Sequence, residues 1–157
     1  MKKIKIGDIF EISTPRGLAY AQYTHRHAEP PKYGPLIRVL RGLYKERPRN
    51  LLELASGPAN FSTFFPLQTA VNKNIVSIIG NEPIPIDAQD FPIFRAGIFN
   101  PQTGKVDVWW LWDGNKEWRV ETLTPEQKRF PIRGVINDTL LIERIISGWT
   151  PETDSTS

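Results

Sequence analysis

The sequence predicts an α+β domain that is mostly β: a strongly bent antiparallel sheet or small barrel with one C-terminal helix packed on it. Three observations carry this. Fourteen prolines are scattered through 157 residues, all single but Pro30-Pro31, nearly twice the usual ~5%, and proline breaks helices. Strand-like segments recur about every ten residues, with turn clusters between them. One stretch near the C-terminus carries a clear helical apolar stripe.

The elements follow in order. Ile4 and Ile6 alternate with lysines, Gly7-Asp8 interrupts, and Ile9-Phe10-Glu11-Ile12 resumes the strand. Ser13 to Gly17 is a turn cluster. Leu18 to Tyr23 returns, with Leu18, Tyr20 and Gln22 on one face and Ala19, Ala21 and Tyr23 on the other. Residues 25–34 read as a loop. Residues 35–44 fit either a helical face or a strand; Ile37, Val39 and Gly42 favour the strand. Asn50 caps a short helical turn that Gly57-Pro58 closes. Phe64–Val71 and Ile75–Ile79 read as strands joined at Asn72-Lys73-Asn74, and a proline-broken crossing follows to Pro92. Ile93–Phe99 and Lys105–Trp112 are strands, and Asp113–Lys116 is a hairpin turn into Glu117–Leu123. Asn137 or Asp138 caps a helix that runs to about Ser147. Its stripe is Leu141, Ile142, Ile145, Ile146 and Trp149, and Gly148 stops it.

The length fits a single domain over residues 1–149, with 150–157 a disordered tail. Without cysteine, thiol catalysis, disulfides and cysteine-held metals are excluded. No run approaches the ~20 apolar residues of a membrane helix, and the N-terminus turns polar too soon for a signal peptide. A cytoplasmic protein without membrane contact is expected. Its oligomeric state is open, because edge strands can pair between copies.

Net charge is +3, but residues 1–78 carry +7 and residues 79–157 carry −4. The excess peaks at Arg38, Arg41, Lys45, Arg47 and Arg49. Such a cluster suits phosphates or an acidic protein surface. His25 and His27 could share a strand face, but a metal site needs further ligands in fixed positions. Glu82, Asp87 and Asp90 sit in a loop that fixes no separation for acid–base work. Nucleophile elbows, P-loops and dinucleotide fingerprints are absent. No enzyme, metal or cofactor is expected.

The tryptophans are more informative. An even-length turn at 113–116 places Trp109 and Leu111 on one face with Trp118 and Val120, the expected core side. Trp110 and Trp112 then share the other face with Glu117, Arg119 and Glu121. Two tryptophans among charges on an open sheet face suit a protein-binding hot spot. An odd-length loop would reverse the faces.

The opening Ile4–Ile12 hairpin, the return Leu18–Tyr23, Tyr33–Val39, Ile75–Gly80 and the Pro83, Pro85, Phe91-Pro92 region resemble family 26 of bacterial immunity proteins, over most of residues 4–112. The resemblance implies a small α+β protein of polymorphic toxin systems that binds a co-encoded toxin and blocks it. It brings no catalytic residues. Many inhibitors of nuclease toxins are acidic, whereas this chain is mildly basic. The resemblance therefore implies an acidic toxin surface or a mechanism that does not mimic nucleic acid. The expected contact residues are Trp110, Trp112 and Arg119, with Glu117 and Glu121 at the rim. The alternative is a basic β-barrel module that binds nucleic acid through Arg38, Arg41, Lys45, Arg47 and Arg49.

Overall fold

A computed structural model describes residues 2–156. The chain is α+β and mostly β, with a C-terminal helix packed on a sheet. Strands β1 (Asp8–Thr14), β2 (Gly17–His27), β3 (Gly34–Leu40), β4 (Ala59–Phe64) and β5 (Val76–Asn81) form one antiparallel sheet in the order β4-β3-β2-β1-β5. Strands β6 (Phe94–Asn100), β7 (Lys105–Trp112) and β8 (Glu117–Val120) form a second antiparallel sheet in sequence order.

Alternation decides which face of the larger sheet is covered by what. Ile12 pairs with Ala19, Phe10 with Ala21, Ala21 with Val39, and Val39 with Phe61. This row meets Leu141 and Ile145 of α3 (Asp138–Ser147) in the main core. The two alanines leave room for the helix. Asn137 caps α3 by accepting from the Leu140 amide at 2.9 Å. Gly148 ends it at φ 68°, a left-handed conformation that favours glycine. The opposite face presents Ile9, Tyr20 and Leu40 to Leu54 and Ala55 of α1 (Leu51–Ala55). Asn50 caps this helix, as expected, through the Glu53 amide at 3.0 Å.

Two expectations are corrected. The stretch 64–71 is not a strand. β4 ends at Phe64, and Leu67–Asn72 is a helix, α2. Pro66 cannot extend the ladder, and Leu67 and Ala70, three apart, bury one helical face. Nor is 150–156 a disordered tail. Residues Pro151–Thr153 form a 3₁₀ turn, Pro151 is buried, and its carbonyl accepts from the Arg95 guanidinium. Ser157 lies outside the described residues. Residues 35–44 are a strand only to Leu40, and Gly42 then turns the chain at φ 112°.

One connection ties the sheets together. The Arg95 amide of β6 donates to Pro131 O at 2.9 Å, and the Arg133 amide donates back to Arg95 O at 2.8 Å. Three residues on, the Ile136 amide donates to Phe64 O of β4 at 3.1 Å. Residues 131–136 therefore lie along an outer strand of each sheet in turn. Between the sheets, Leu36, Phe64, Phe94 and Trp112 form a buried junction with Tyr33 and Phe91 against it.

Candidate partner-binding surface

The turn at 113–116 has even length, and Asp113 shapes it by accepting from the amides of Asn115 (2.9 Å) and Lys116 (2.7 Å). Those bonds hold its carboxyl below the usual carboxylate range. Trp109 pairs with Val120, Trp110 with Arg119, Leu111 with Trp118, and Trp112 with Glu117. The predicted faces are therefore correct, but burial does not follow them. Trp112 is buried although its face was expected to be open, and Trp118 is 38% exposed although its face was expected to be core.

Position along the strand explains both. The inner end of the Trp110/Trp112 face abuts the larger sheet. There Trp112 lies 4.9 Å from His27 and 5.4 Å from Phe94, ring centroid to centroid. The Arg133 guanidinium sits 4.3 Å over the Trp112 ring. Its Nε donates to the Tyr33 hydroxyl at 2.8 Å and its Nη1 to Glu117 at 2.9 Å. Trp112 is thus removed from the candidate contact set as a core residue. Glu117 remains exposed, with its carboxylate held by Arg133. On the other face, Ile93, Leu123 and Phe130 cover Trp109 and Leu111. That cover stops short of Trp118 on the outer strand β8.

Trp110 is 36% exposed beside Arg119, and Glu121 is exposed just past β8. Sequence reasoning missed two further exposed residues of the small sheet. Ile98 is 66% and Phe99 53% exposed. From Gly97–Trp109 to Phe99–Val106 the ladder advances two residues on β6 and three on β7. This bulge carries the end of the hairpin beyond the core. A β-carbon on Gly97 would stand 2.3 Å from Val106 Cγ1, so a larger residue there would push β6 and β7 apart. The missed signal was the adjacent apolar pair Ile98-Phe99: on a strand one of two neighbours must face away from any single core. The small sheet therefore exposes Ile98 and Phe99 at its outer end, Trp110 beside Arg119 on one face, and Trp118 on the opposite face.

The basic cluster is not one surface. Arg38 is buried, correcting its place in a nucleic-acid interface. Its Nε donates to Gln22 Oε1 at 3.0 Å and its Nη1 to Gly57 O at 3.2 Å, and the Ala55 carbonyl accepts from Nη2. Burial lowers its pKa from the usual guanidinium range. Arg47 is engaged by Glu11, with contacts at 2.8 and 3.2 Å. Arg41, Lys45 and Arg49 are exposed. The histidines are in contact with neighbouring oxygens. His25 Nε2 lies 2.8 Å from Gln89 O, and His27 Nδ1 lies 2.9 Å from Pro31 O. Among the described residues no group of three or more His, Asp or Glu side chains could hold a metal ion, and no helix is long and apolar enough to cross a membrane.

No family model, curated protein or solved structure matches this chain.

Proposed function

We propose that this protein is a non-catalytic immunity protein that binds and neutralises a cognate bacterial toxin. The resemblance of residues 4–112 to family 26 suggests the class. The observation that carries the reading is the exposure of Ile98, Phe99 and Trp110 on the small sheet, with Arg119 paired beside Trp110. Large exposed apolar and aromatic side chains with charges beside them have the composition of an interface centre and rim. A tight complex needs about 800 Å² per partner.

The test begins with capture of the partner from the native organism at moderate salt with nuclease present. A single stoichiometric, nuclease-resistant protein is expected. Trp110→Ala and Ile98→Ala should then each weaken its binding at least tenfold with the melting temperature nearly unchanged. Unchanged binding in both variants would overturn the surface. Recovery of nucleic acid in place of a protein would overturn the function and favour the basic residues Arg41, Lys45 and Arg49.

A further inference from the structure

The larger sheet has two outer strands, and the chain treats them differently. β4 is covered: Ile136 bonds to Phe64 O, and Val135 bridges Phe64. Among the described residues β5 pairs with β1 alone. Natural outer strands are blunted by charge, proline or brevity. The small sheet's β8 follows that rule, being four residues long and carrying Glu117 and Arg119. β5 does not. Its sequence Val76-Ser77-Ile78-Ile79-Gly80-Asn81 has no charge and no proline. One extra residue, Ile79, interrupts its register with β1 between Gly80 and Ile78. Such a bulge increases the local twist, which disfavours flat stacking of many copies and is the one guard this edge carries.

Two grooves run beside β5. One, of about 870 Å³, lies between its C-terminal half and the N-terminal segment, lined by Lys2, Lys3, Lys5, Ile78 and Ile79. The other, of about 530 Å³, is lined by Lys2, Asn72, Asn74, Ser77 and Ile78. The N-terminal segment is held in place. Its Ile4 amide donates to Gln68 Oε1 at 3.0 Å, and its Lys5 amide to Asp8 Oδ2 at 2.8 Å. Asp8, the one acidic residue lining either groove, also accepts from Asn81 Nδ2 at 3.0 Å. The three lysines are exposed and have no salt bridge among the described residues.

We infer that the outer edge of β5 docks an acidic, extended segment of a protein partner as a sixth strand. Main-chain hydrogen bonds to the unpaired edge would supply affinity. Carboxylates beside Lys2, Lys3 and Lys5 would supply selectivity for acidic over basic sequences. A second copy is disfavoured, because it would bring a second set of lysines and no matching acids. The inference rests on the larger sheet and is independent of the surface proposed above.

The experiment uses the whole protein and a fluorescein-labelled Glu-Val-Glu-Val-Glu-Val-Glu peptide, with a Lys-Val peptide of equal length as control. The acidic peptide should bind saturably and at least tenfold more tightly than the basic one, and should weaken with salt. Amide exchange should slow within residues 76–81 on its addition. The double variant Lys3→Glu with Lys5→Glu, both exposed and safe for folding, should lose at least tenfold. No binding, equal binding of both peptides, or binding without protection of β5 would each overturn the proposal. So would equal competition by a single-stranded oligonucleotide, which would mark a general anion surface. Concentration-dependent dimerisation that protects the same amides would replace the partner with a second copy and overturn it as well.

Discussion

At the scale of single residues, neighbours of the same type do opposite work. Trp112 is buried between a histidine, a phenylalanine and an arginine. Trp112→Ala removes a large buried side chain and should cost about 3–5 kcal/mol, read as a shift in the denaturation midpoint. Trp110→Ala should cost under about 1 kcal/mol by the same measurement. Glu11 gives a pH-dependent case. The Arg47 guanidinium bonded to it, with the Tyr20 hydroxyl at 2.7 Å, holds its carboxyl below the usual value of 4.5 despite burial. The Tyr20 hydroxyl is in turn pushed upward, by burial and by the Glu11 carboxylate. A carboxyl lowered on folding contributes stability above its unfolded pKa, and loses it as pH falls through the folded value. The wild-type melting temperature should therefore drop on acidification below about pH 4.5. Glu11→Gln should start lower at neutral pH and lose less, so that the two curves converge in acid.

Among elements, the helix ends were the most legible part of the sequence. Asn50 and Gly148 are legible, and the Asn137/Asp138 choice is narrowed to Asn137 by the structure, because caps are local chemistry complete within four residues. Asn137→Ala should cost about 1 kcal/mol of stability. The strand faces of β2, β7 and β8 are also legible, because alternation and an even turn suffice to fix them. Helix α2 was misread because its apolar residues suit either period, and Pro66 was not weighed as a boundary. Burial at Trp112 and Trp118 was not legible. It depends on where a second sheet ends, and no local pattern encodes that. The same holds for the C-terminal turn. Its polar composition reads as disorder, yet Pro151 O receives a bond from Arg95, 56 residues away along no pattern a sequence displays. Truncation after Trp149 removes this acceptor from a fully buried guanidinium. It should cost roughly 1–3 kcal/mol, measured by chemical denaturation.

For the molecule as a whole, the two sheets share one aromatic junction and one connecting segment. Arg133 touches both sides of it, stacking on Trp112 and bonding to Tyr33 and Glu117. The sheets should therefore unfold in a single transition, with fluorescence and circular dichroism coincident. Arg133→Ala should lower the midpoint and raise amide exchange in β6–β8 more than in β1–β3. Separate transitions in the wild type would show that the junction does not couple them.

The place of residues 131–136 in chain order bears on synthesis. A ribosome makes every strand of both sheets before it makes the segment that covers β4 and β6. At ~5–20 residues per second, the nascent chain spends an interval of seconds with both of those outer strands bare. A chain stalled before Pro131 would carry two sticky strands that the finished protein hides, which makes residues 131–136 the stretch whose loss aggregates the product.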